Sequence, residues 1–334
     1  MMRVLVIGGT RFVGLHFARA ALAAGHEVTV FHRGRSGAGQ PPGAEHRTGD
    51  RDGDLAALRD GRWDATADFC AYLPRQVSAL AAALDGRGGR HLLISSVSAY
   101  RSPAPAGFTE DQPLAEPAGP EVSEVSDVTY GALKAACEHA ALAAYGSAGL
   151  TIVRPTYVIG PHDYSYRFTW WTERIARGGT VLAPGDPADP MQVIDARDLG
   201  AWMTGLLERA VPGAFHAASP APPFGFGDML EAIAAQVAPP GTRLAWASTP
   251  FLTDAGVSGP ELPLWSGTDA EDASLNQADP AAALAAGLDP RPLRASAADV
   301  HAAEAVAPTP VPPGTGLDPA RESALLARMS PIAR

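Results

Sequence analysis

The sequence predicts an α/β fold built on a doubly wound parallel sheet, with a smaller C-terminal lobe. Three observations carry that expectation. Short apolar runs rich in β-branched residues, the mark of strands buried on both faces, alternate with helix-compatible stretches over the first two thirds of the chain. The first run, Arg3-Val4-Leu5-Val6-Ile7, ends in Gly8-Gly9 and leads into a helix-compatible segment, Leu15 to Ala24. The alternation weakens after residue 160, returns over 190–218, and from Pro222 gives way to short amphipathic segments and proline-rich loops. The expected organisation is a main domain over 1–160 with 190–218 returning to it, a lobe over 161–189 and 219–306, and a peripheral tail over 307–334.

The 334 residues suffice for one large α/β domain with a lobe, and 46% hydrophobic with 19% charged residues supplies an ordinary globular core. A net charge of -10 weighs against nucleic acid or an anionic membrane as a main partner, although a local arginine cluster can still hold a small anion. The 2 cysteines, Cys70 and Cys137, are too few for a disulfide framework and fit a reducing compartment. The chain enters a strand at once, so no signal peptide is visible, and no apolar run reaches the roughly 18 residues that span a bilayer. A cytoplasmic protein with a small-molecule ligand is expected.

The first turn, Gly8-Gly9-Thr10-Arg11-Phe12-Val13-Gly14, has the frame Gly8-x-x-Arg11-x-x-Gly14. A strand that turns sharply into a helix leaves the first N–H groups of the helix free, and with the helix dipole they favour an anion such as a pyrophosphate. Gly8 lets the chain turn, Gly9 is expected to keep a Cβ away from the phosphate, and Gly14 lets helix and strand approach. The second strand, Glu27 to Phe31, is followed by His32-Arg33-Gly34-Arg35. In a dinucleotide fold this strand end faces the adenosine ribose, where an acidic residue binds the 2′-hydroxyl and an arginine accommodates a 2′-phosphate. No Asp or Glu stands here, Arg33 and Arg35 do, and Arg11 could approach the same phosphate. NADP(H) is therefore favoured, with NAD(H) the alternative.

Ser36 to Gly43 is a glycine- and proline-rich loop. Asp50 and Arg51, beyond a short third strand near Glu45 to Arg47, sit where a side chain reaches the adenine. A fourth strand, Trp63 to Cys70, brings Cys70-Ala71-Tyr72 beside the ribose and the substrate; Cys70 itself is read as packing, not as a nucleophile. Gln76 to Leu84 is an amphipathic helix. The fifth strand, from His91, runs into Ser95-Ser96-Val97-Ser98, hydroxyls that either face a ligand at the sheet edge or satisfy their own turn. Tyr130 and Lys134 lie four apart in a helical stretch and share one face.

A sixth strand, Leu150 to Val153, ends in Arg154-Pro155-Thr156-Tyr157-Val158-Ile159-Gly160-Pro161. The aromatic and polar stretch 162–171 suits a pocket wall or a hydrophobic cap. Tyr72, Ser98, Tyr157, His162, Tyr164, Arg167 and Trp170 are the candidate substrate contacts. His162 and Asp163 have no third ligand at a metal-binding spacing, so no metal is assigned.

Taken in order, the glycine loop, the Ser95-Ser96 strand end, Tyr130-x-x-x-Lys134 and Arg154-Pro155-x-x-x-x-Gly160-Pro161 resemble the short-chain dehydrogenase/reductase superfamily. The likeness is greatest to its extended or atypical branch, the NAD-dependent epimerase/dehydratase family, and it covers Met2 to Ala218, with the lobe looser. The resemblance implies a Rossmann-like sheet with a substrate lobe, Tyr130 as acid/base, Lys134 as its activator and ribose ligand, and Ser96 as the catalytic hydroxyl. It further implies a dinucleotide held by Gly8 to Gly14, Cys70, Tyr130, Lys134 and Pro155, and a homodimer formed through the helix carrying Tyr130 and the helix before it. Two departures stand out. Arg11 occupies the middle glycine's position, and the helix from Gln76 has no equivalent of the Asn that often completes a catalytic tetrad.

A free phenol titrates at about 10, and an ammonium one helical turn away, with an oxidised nicotinamide, would favour its anion. In a reduction Tyr130 would give its proton to a carbonyl oxygen held by Ser96 while hydride reaches the carbon. Three readings follow. The first is an NADP(H)-dependent oxidoreductase interconverting a carbonyl and an alcohol, an activity suited to secondary metabolism. The second is an NAD-retaining nucleotide-sugar epimerase or dehydratase, for which Arg167, Arg174 and Arg197 could hold a substrate phosphate. The third is a non-catalytic RNA-binding relative, since the glycine loop is also similar to that of chloroplast stem-loop-binding proteins; the acidic balance and the Tyr130/Lys134 pair count against it.

Overall fold

Strands whose alternate residues are both apolar must bury two faces, and the chain meets that demand with a sheet covered by helices on each side. The computed structural model describes every residue except 36–39, 220–223, 268 and 330–334. The start of the loop expected from Ser36, the lobe's expected onset at Pro222 and the last residues of the tail lie outside the described residues.

The first half runs β1 (Arg3–Ile7), α1 (Phe12–Ala23), β2 (Glu27–His32), β3 (Glu45–Thr48), β4 (Ala65–Asp68), α2 (Pro74–Leu84), β5 (Arg90–Ile94) and α3 (Tyr130–Gly149). The second half begins with β6 (Leu150–Pro155), β7 (Tyr157–Ile159), α4 (Arg167–Ala176), β8 (Thr180–Pro184), β9 (Val193–Asp195), α5 (Ala196–Glu208) and β10 (Gly213–Ala217). It ends with α6 (Phe226–Val237), β11 (Arg243–Ala247), α7 (Thr249–Asp254), α8 (Ala270–Ser274), α9 (Ala281–Ala285), α10 (Leu293–Val306) and α11 (Pro319–Arg328).

Seven strands form one sheet in the order β10-β6-β5-β4-β1-β2-β3, with every neighbouring pair parallel. The period of two is visible in the cores. Val4 and Val6 of β1 pack with Phe17 and Ala21 of α1 and Leu199 and Met203 of α5, whereas Leu5 and Ile7 pack on the other face with Leu80 and Leu84 of α2. The expected doubly wound sheet is thus present, with β4 shorter than the predicted Trp63 to Cys70 strand.

The lobe adds two parallel pairs outside this sheet, β7 with β9 and β8 with β11. Its core joins Phe168, Trp171 and Ile175 of α4 to Phe226, Leu230 and Ile233 of α6, Val300 of α10 and Leu325 of α11. Helix α11, in the stretch expected as a peripheral tail, is therefore packed into this core. Glu322 of α11 is buried, accepts both bonds of Arg174 Nε (3.0 and 2.7 Å), and also receives the Leu182 N–H at 3.0 Å. Sequence gave no warning, because α11 shows a single apolar stripe and a proline-rich approach that also suit a surface appendage.

His91 of β5 is fully buried, stacks on Tyr145 with 4.0 Å between ring centres, and has no hydrogen-bond partner at either ring nitrogen. Burial lowers its pKa to about 4, and burial likewise brings His16 of α1 to about 4 against the pull of its bond to the Pro161 carbonyl. An unfolded histidine titrates at about 6.5. The stability these groups give is complete above that value and is lost as pH falls towards their folded pKa values, since only the unfolded chain takes up the protons. Denaturant unfolding between pH 7 and 5 should therefore show falling stability, and His91→Phe should flatten the slope by up to about 1.4 kcal/mol per pH unit. An unchanged slope would mean that His91 is already charged in the folded protein.

Candidate active site

The C-terminal ends of β1, β2, β4, β5 and β6 open into one cleft of about 1010 Å³, closed on its far side by the lobe. At β1, Gly8 turns with φ +87°, and a Cβ on Gly14 would stand 2.4 Å from the Gly8 carbonyl oxygen. Helix α1 therefore rests directly on the turn backbone, with its first N–H groups directed at the cleft. Arg11 is the N-cap residue and makes no side-chain capping bond. Gly8, Thr10, Arg11, Phe12, Val13 and Gly14 all line the cleft. Gly9 does not: a Cβ there would meet Val6 Cγ1 at 2.7 Å and Val30 Cγ1 at 3.1 Å. Its missing side chain serves packing on the sheet, not the approach of a phosphate.

Around the adenosine end, His32, Arg33, Asp50, Arg51 and Asp52 line the cleft. His32 accepts the Gly34 N–H at Nδ1 (2.9 Å) and directs Nε2 at His46 Nδ1 (3.1 Å); burial, then the neighbouring His46, lowers its pKa. Arg35 stands outside the cleft, exposed beyond the left-handed turn at Gly34. Arg51 lines it, but its charge is spent. The guanidinium grips Asp68 through two bonds of 2.7 and 2.8 Å and touches Cys70 Sγ at 3.2 Å. Burial opposes the Asp68 charge, yet Arg51 beside it holds the carboxyl below its ordinary range. Cys70, packed under Gly8, has its thiol pushed up by burial and is no nucleophile in waiting.

At the reacting end, Ser95, Ser96, Ser98, Tyr130, Lys134, Pro155 and Thr156 share the cleft. Strand β5 ends at Ile94, and Ser96 caps the short turn Val97–Ala99 by accepting the Ser98 N–H at 3.1 Å. It also donates its hydroxyl to that of Ser98 at 3.1 Å, so these hydroxyls satisfy their own turn while lining the cleft. The first turn of α3 packs on that same turn, since a Cβ at Gly131 would lie 2.2 Å from the Ser98 carbonyl oxygen. Gly131 lets the start of α3, with Tyr130, pack on the Val97–Ala99 turn that Ser96 caps; it was not singled out from sequence, although a glycine directly after the tyrosine was the signal available.

Lys134 is buried, and its Nζ donates to the carbonyls of Ala71 and Ile94, both at 2.9 Å. Two of its three N–H bonds are thereby fixed, with the ammonium 5.7 Å from the Tyr130 ring centre and 5.0 Å from that of Tyr72. Gln76 Oε1 takes the N–H groups of Tyr72 and Leu73 (2.9 and 3.1 Å) and so fixes the bend that presents the Ala71 carbonyl to Lys134.

One further turn along α3, Glu138 holds Arg154 by bonds of 2.9 and 2.6 Å. Arg154 also donates to the Tyr100 hydroxyl. That hydroxyl in turn donates to His216 Nε2, because His216 Nδ1 must donate to the Asp279 carbonyl at 3.0 Å.

On the substrate side, Tyr72, Ser98, Tyr157, Tyr164 and Arg167 line the cleft as expected, joined by Trp265, Ser266, Asp269 and Asn276 from the lobe. His162 does not line it; its left-handed backbone (φ +69°) turns the ring onto His16, 5.8 Å away. Trp170 does not either, for it is buried edge-on to Trp171 in the lobe core. Arg174 and Arg197 are unavailable to a substrate phosphate, Arg174 through Glu322 and Arg197 through Asp195 and Asp299. Among the described residues no group of acidic, histidine or cysteine side chains is arranged to hold a metal ion.

Residues 55–217 match the family model described as the NAD dependent epimerase/dehydratase family. The "Chloroplast stem-loop binding protein of 41 kDa b" of Arabidopsis thaliana is 26% identical over 221 residues, 61% of this chain and 55% of that protein. The chain thus matches about half the length of this curated relative. The Bordetella bronchiseptica enzyme WbmH, solved in complex with NAD+, superposes with a TM-score of 0.70 at 16% identity, covering 92% of this chain and 100% of that one. UDP-glucuronic acid 4-epimerase from Bacillus cereus, solved in complex with NAD, superposes with a TM-score of 0.66 at 14% identity, covering 92% and 99%. At such identities the likeness speaks for the fold. Over residues 55–217 the chain is thus similar to the NAD-dependent epimerase/dehydratase family, and the seven-stranded parallel sheet that carries the glycine turn and the Tyr130/Lys134 helix is the fold it shares with these structures.

Proposed function

We propose that this protein is an enzyme that binds NAD in the cleft and uses Tyr130, Lys134 and Ser96 to oxidise, and then reduce again, a secondary alcohol of a nucleotide-sugar-like substrate. One observation carries the reading: a single cavity of about 1010 Å³ reaches from the glycine turn past Tyr130 to the lobe. That is at or above the size of a site for one small ligand, roughly 300–1,000 Å³, and suits a dinucleotide and a second bulky ligand meeting at Tyr130. The names of the structural relatives, nucleotide-sugar epimerases with NAD among them, support the same reading.

The residues present fit a dinucleotide. Gly8 and Gly14, where a Cβ would strike Cys70 and the Gly8 carbonyl, let α1 rest on the turn after β1 so that its N-terminus borders the cleft, and the hydroxyls of Ser95 and Thr156 are buried beside that cleft without a partner among the described residues. Gly8 to Gly14 would hold the diphosphate, and the free N–H of Lys134 a ribose hydroxyl. When bound, the nicotinamide accepts a hydride and can return it. Tyr130 would take the proton of the substrate alcohol as that alcohol is oxidised and give it back to the same oxygen as it is reduced. Lys134, fixed by two carbonyls, keeps positive charge at a set place as negative charge develops on the phenol oxygen. Ser96 must exchange its bond to Ser98 for one to the substrate oxygen. Arg167, over the Tyr157 ring at 5.0 Å, is the guanidinium on the lobe side suited to a substrate phosphate.

A second reading, NADP(H)-dependent carbonyl reduction, is favoured by Arg33 at the cleft rim and by the lack of a carboxylate at the end of β2. The stem-loop binding named for the Arabidopsis relative has the net charge of -10 against it. A homodimer through α2 and α3, which pack on each other within the chain, belongs to the same proposal.

Tyr130→Phe should lower turnover at least about a thousandfold while leaving NADH affinity, read by fluorescence titration, within about twofold; an active variant removes Tyr130 from its role. Gly14→Ala, which forces α1 off the turn, should weaken NADH at least about tenfold and lower the melting temperature, and full affinity would mean that the dinucleotide lies elsewhere. Replacing Arg33 and Arg35 by Ala should lower NADPH affinity relative to NADH if the second reading holds. An unchanged ratio leaves the NAD-retaining reading.

A further inference from the structure

We infer that Arg11 and Tyr164 form a clasp across the diphosphate of the bound dinucleotide and slow its release. The inference rests on the dinucleotide reading of the cleft and concerns a contact between the main domain and the lobe. Arg11 stands at the middle of the glycine turn, where the chain passes closest to an anion seated on the N-terminus of α1. It is exposed, and its guanidinium has no carboxylate partner among the described residues. Instead its Cζ lies over the Tyr164 ring, 4.1 Å from the ring centre. Stacking uses the face of a guanidinium and leaves its N–H edge for oxygen acceptors, so one Arg11 can hold a ring and a phosphate together.

Tyr164 is held in place by its own segment. That segment leaves β7 and is fastened to α1 at Pro161, whose carbonyl accepts His16 Nε2–H at 2.9 Å. Tyr164 also meets Phe12 edge-on at 6.3 Å. Inside the segment, Asp163 is buried and accepts the N–H and hydroxyl of Ser165 at 2.9 and 2.6 Å. His162 (φ +69°) and Tyr166 (φ +61°) bracket it in left-handed backbone that non-glycine residues seldom adopt. The chain thus carries a side chain of the lobe over the one loop where the diphosphate enters. Release of the dinucleotide requires Arg11 to part from the phosphates, and the Tyr164 ring keeps Arg11 there. Such retention suits an enzyme that must return the same hydride within one turnover.

The test is the rate at which bound NADH, and separately NADPH, leaves the full-length protein when chased with excess NAD+ or NADP+, followed by nicotinamide fluorescence. Arg11→Ala and Tyr164→Ala should each speed release of both cofactors about tenfold or more, and the double variant should add little to either. Tyr164→Phe should release at the wild-type rate, because the ring face and not the hydroxyl makes the clasp. Both positions are exposed, so thermal melts should be unchanged. If Tyr164→Ala releases like wild type, the clasp is overturned. An effect confined to NADPH overturns it too and assigns Arg11 to a 2′-phosphate. A wild-type protein that takes up neither cofactor removes the clasp together with the dinucleotide reading, whereas uptake with unaltered release rates removes the clasp alone.

Discussion

The arrangement of the cleft depends on one buried ammonium. Lys134 reaches from α3 to the Ile94 carbonyl that ends β5 and to the Ala71 carbonyl just beyond β4, and no carboxylate pairs with it among the described residues. A charge in that setting is tolerable only where carbonyl dipoles replace its water, so the helix cannot slide along the sheet without breaking both bonds. That fixes Tyr130 one turn above the strand ends. The same face of the helix is held again one turn further on, where Glu138 grips Arg154 near the end of β6. Tyr130, Lys134 and Glu138 lie at four-residue steps, so one face of α3 carries the phenol, its neighbouring charge and its anchor.

Close backbone contact does what side chains cannot at the remaining joints. Gly14 seats α1 on the Gly8 carbonyl, and Gly131 seats α3 on the Ser98 carbonyl. Each brings a helix N-terminus against a strand-end turn with no Cβ between them. The first joint sets a helix N-terminus at the cleft; the second brings Tyr130 to the same cleft that Ser96 lines. The two are separated by the width of a few strands, and the continuous cavity spans that distance.

Much of this was legible in the chain because it is written in local spacing. The strand–glycine–helix turn, the four-residue interval of Tyr130 and Lys134 and the serines beyond β5 all depend on neighbours in sequence. The predicted roles that failed depend on partners far away. Gly9 looked like its neighbour Gly8, but Val6 and Val30 claim its empty side. His162 and Trp170 sat in an aromatic stretch that suited a pocket wall, and they turned to His16 and to the lobe core instead. The tail read as peripheral because nothing near Glu322 in sequence announces Arg174, 148 residues earlier.

Arginine is where sequence reading overcounts most, and the reason is physical. A guanidinium is always charged, so each one must be solvated, paired or stacked, and the chain alone does not say which. Arg51, Arg154, Arg174 and Arg197 each meet a largely buried carboxylate, Asp68, Glu138, Glu322 and Asp195, and those pairs consume the cations that a substrate phosphate would have used. In a chain with 26 basic and 36 acidic residues such capture is the expected fate of an inward-facing arginine. Besides Lys134, the cations lining the cleft without a carboxylate partner among the described residues are Arg11 at the glycine turn, Arg33 beyond β2 and Arg167 on the lobe side. Arg11 and Arg167 rest on tyrosine rings, a support that holds a guanidinium in position without neutralising it. The site therefore keeps positive charge at separate points along one cleft and spends the rest on holding its walls together.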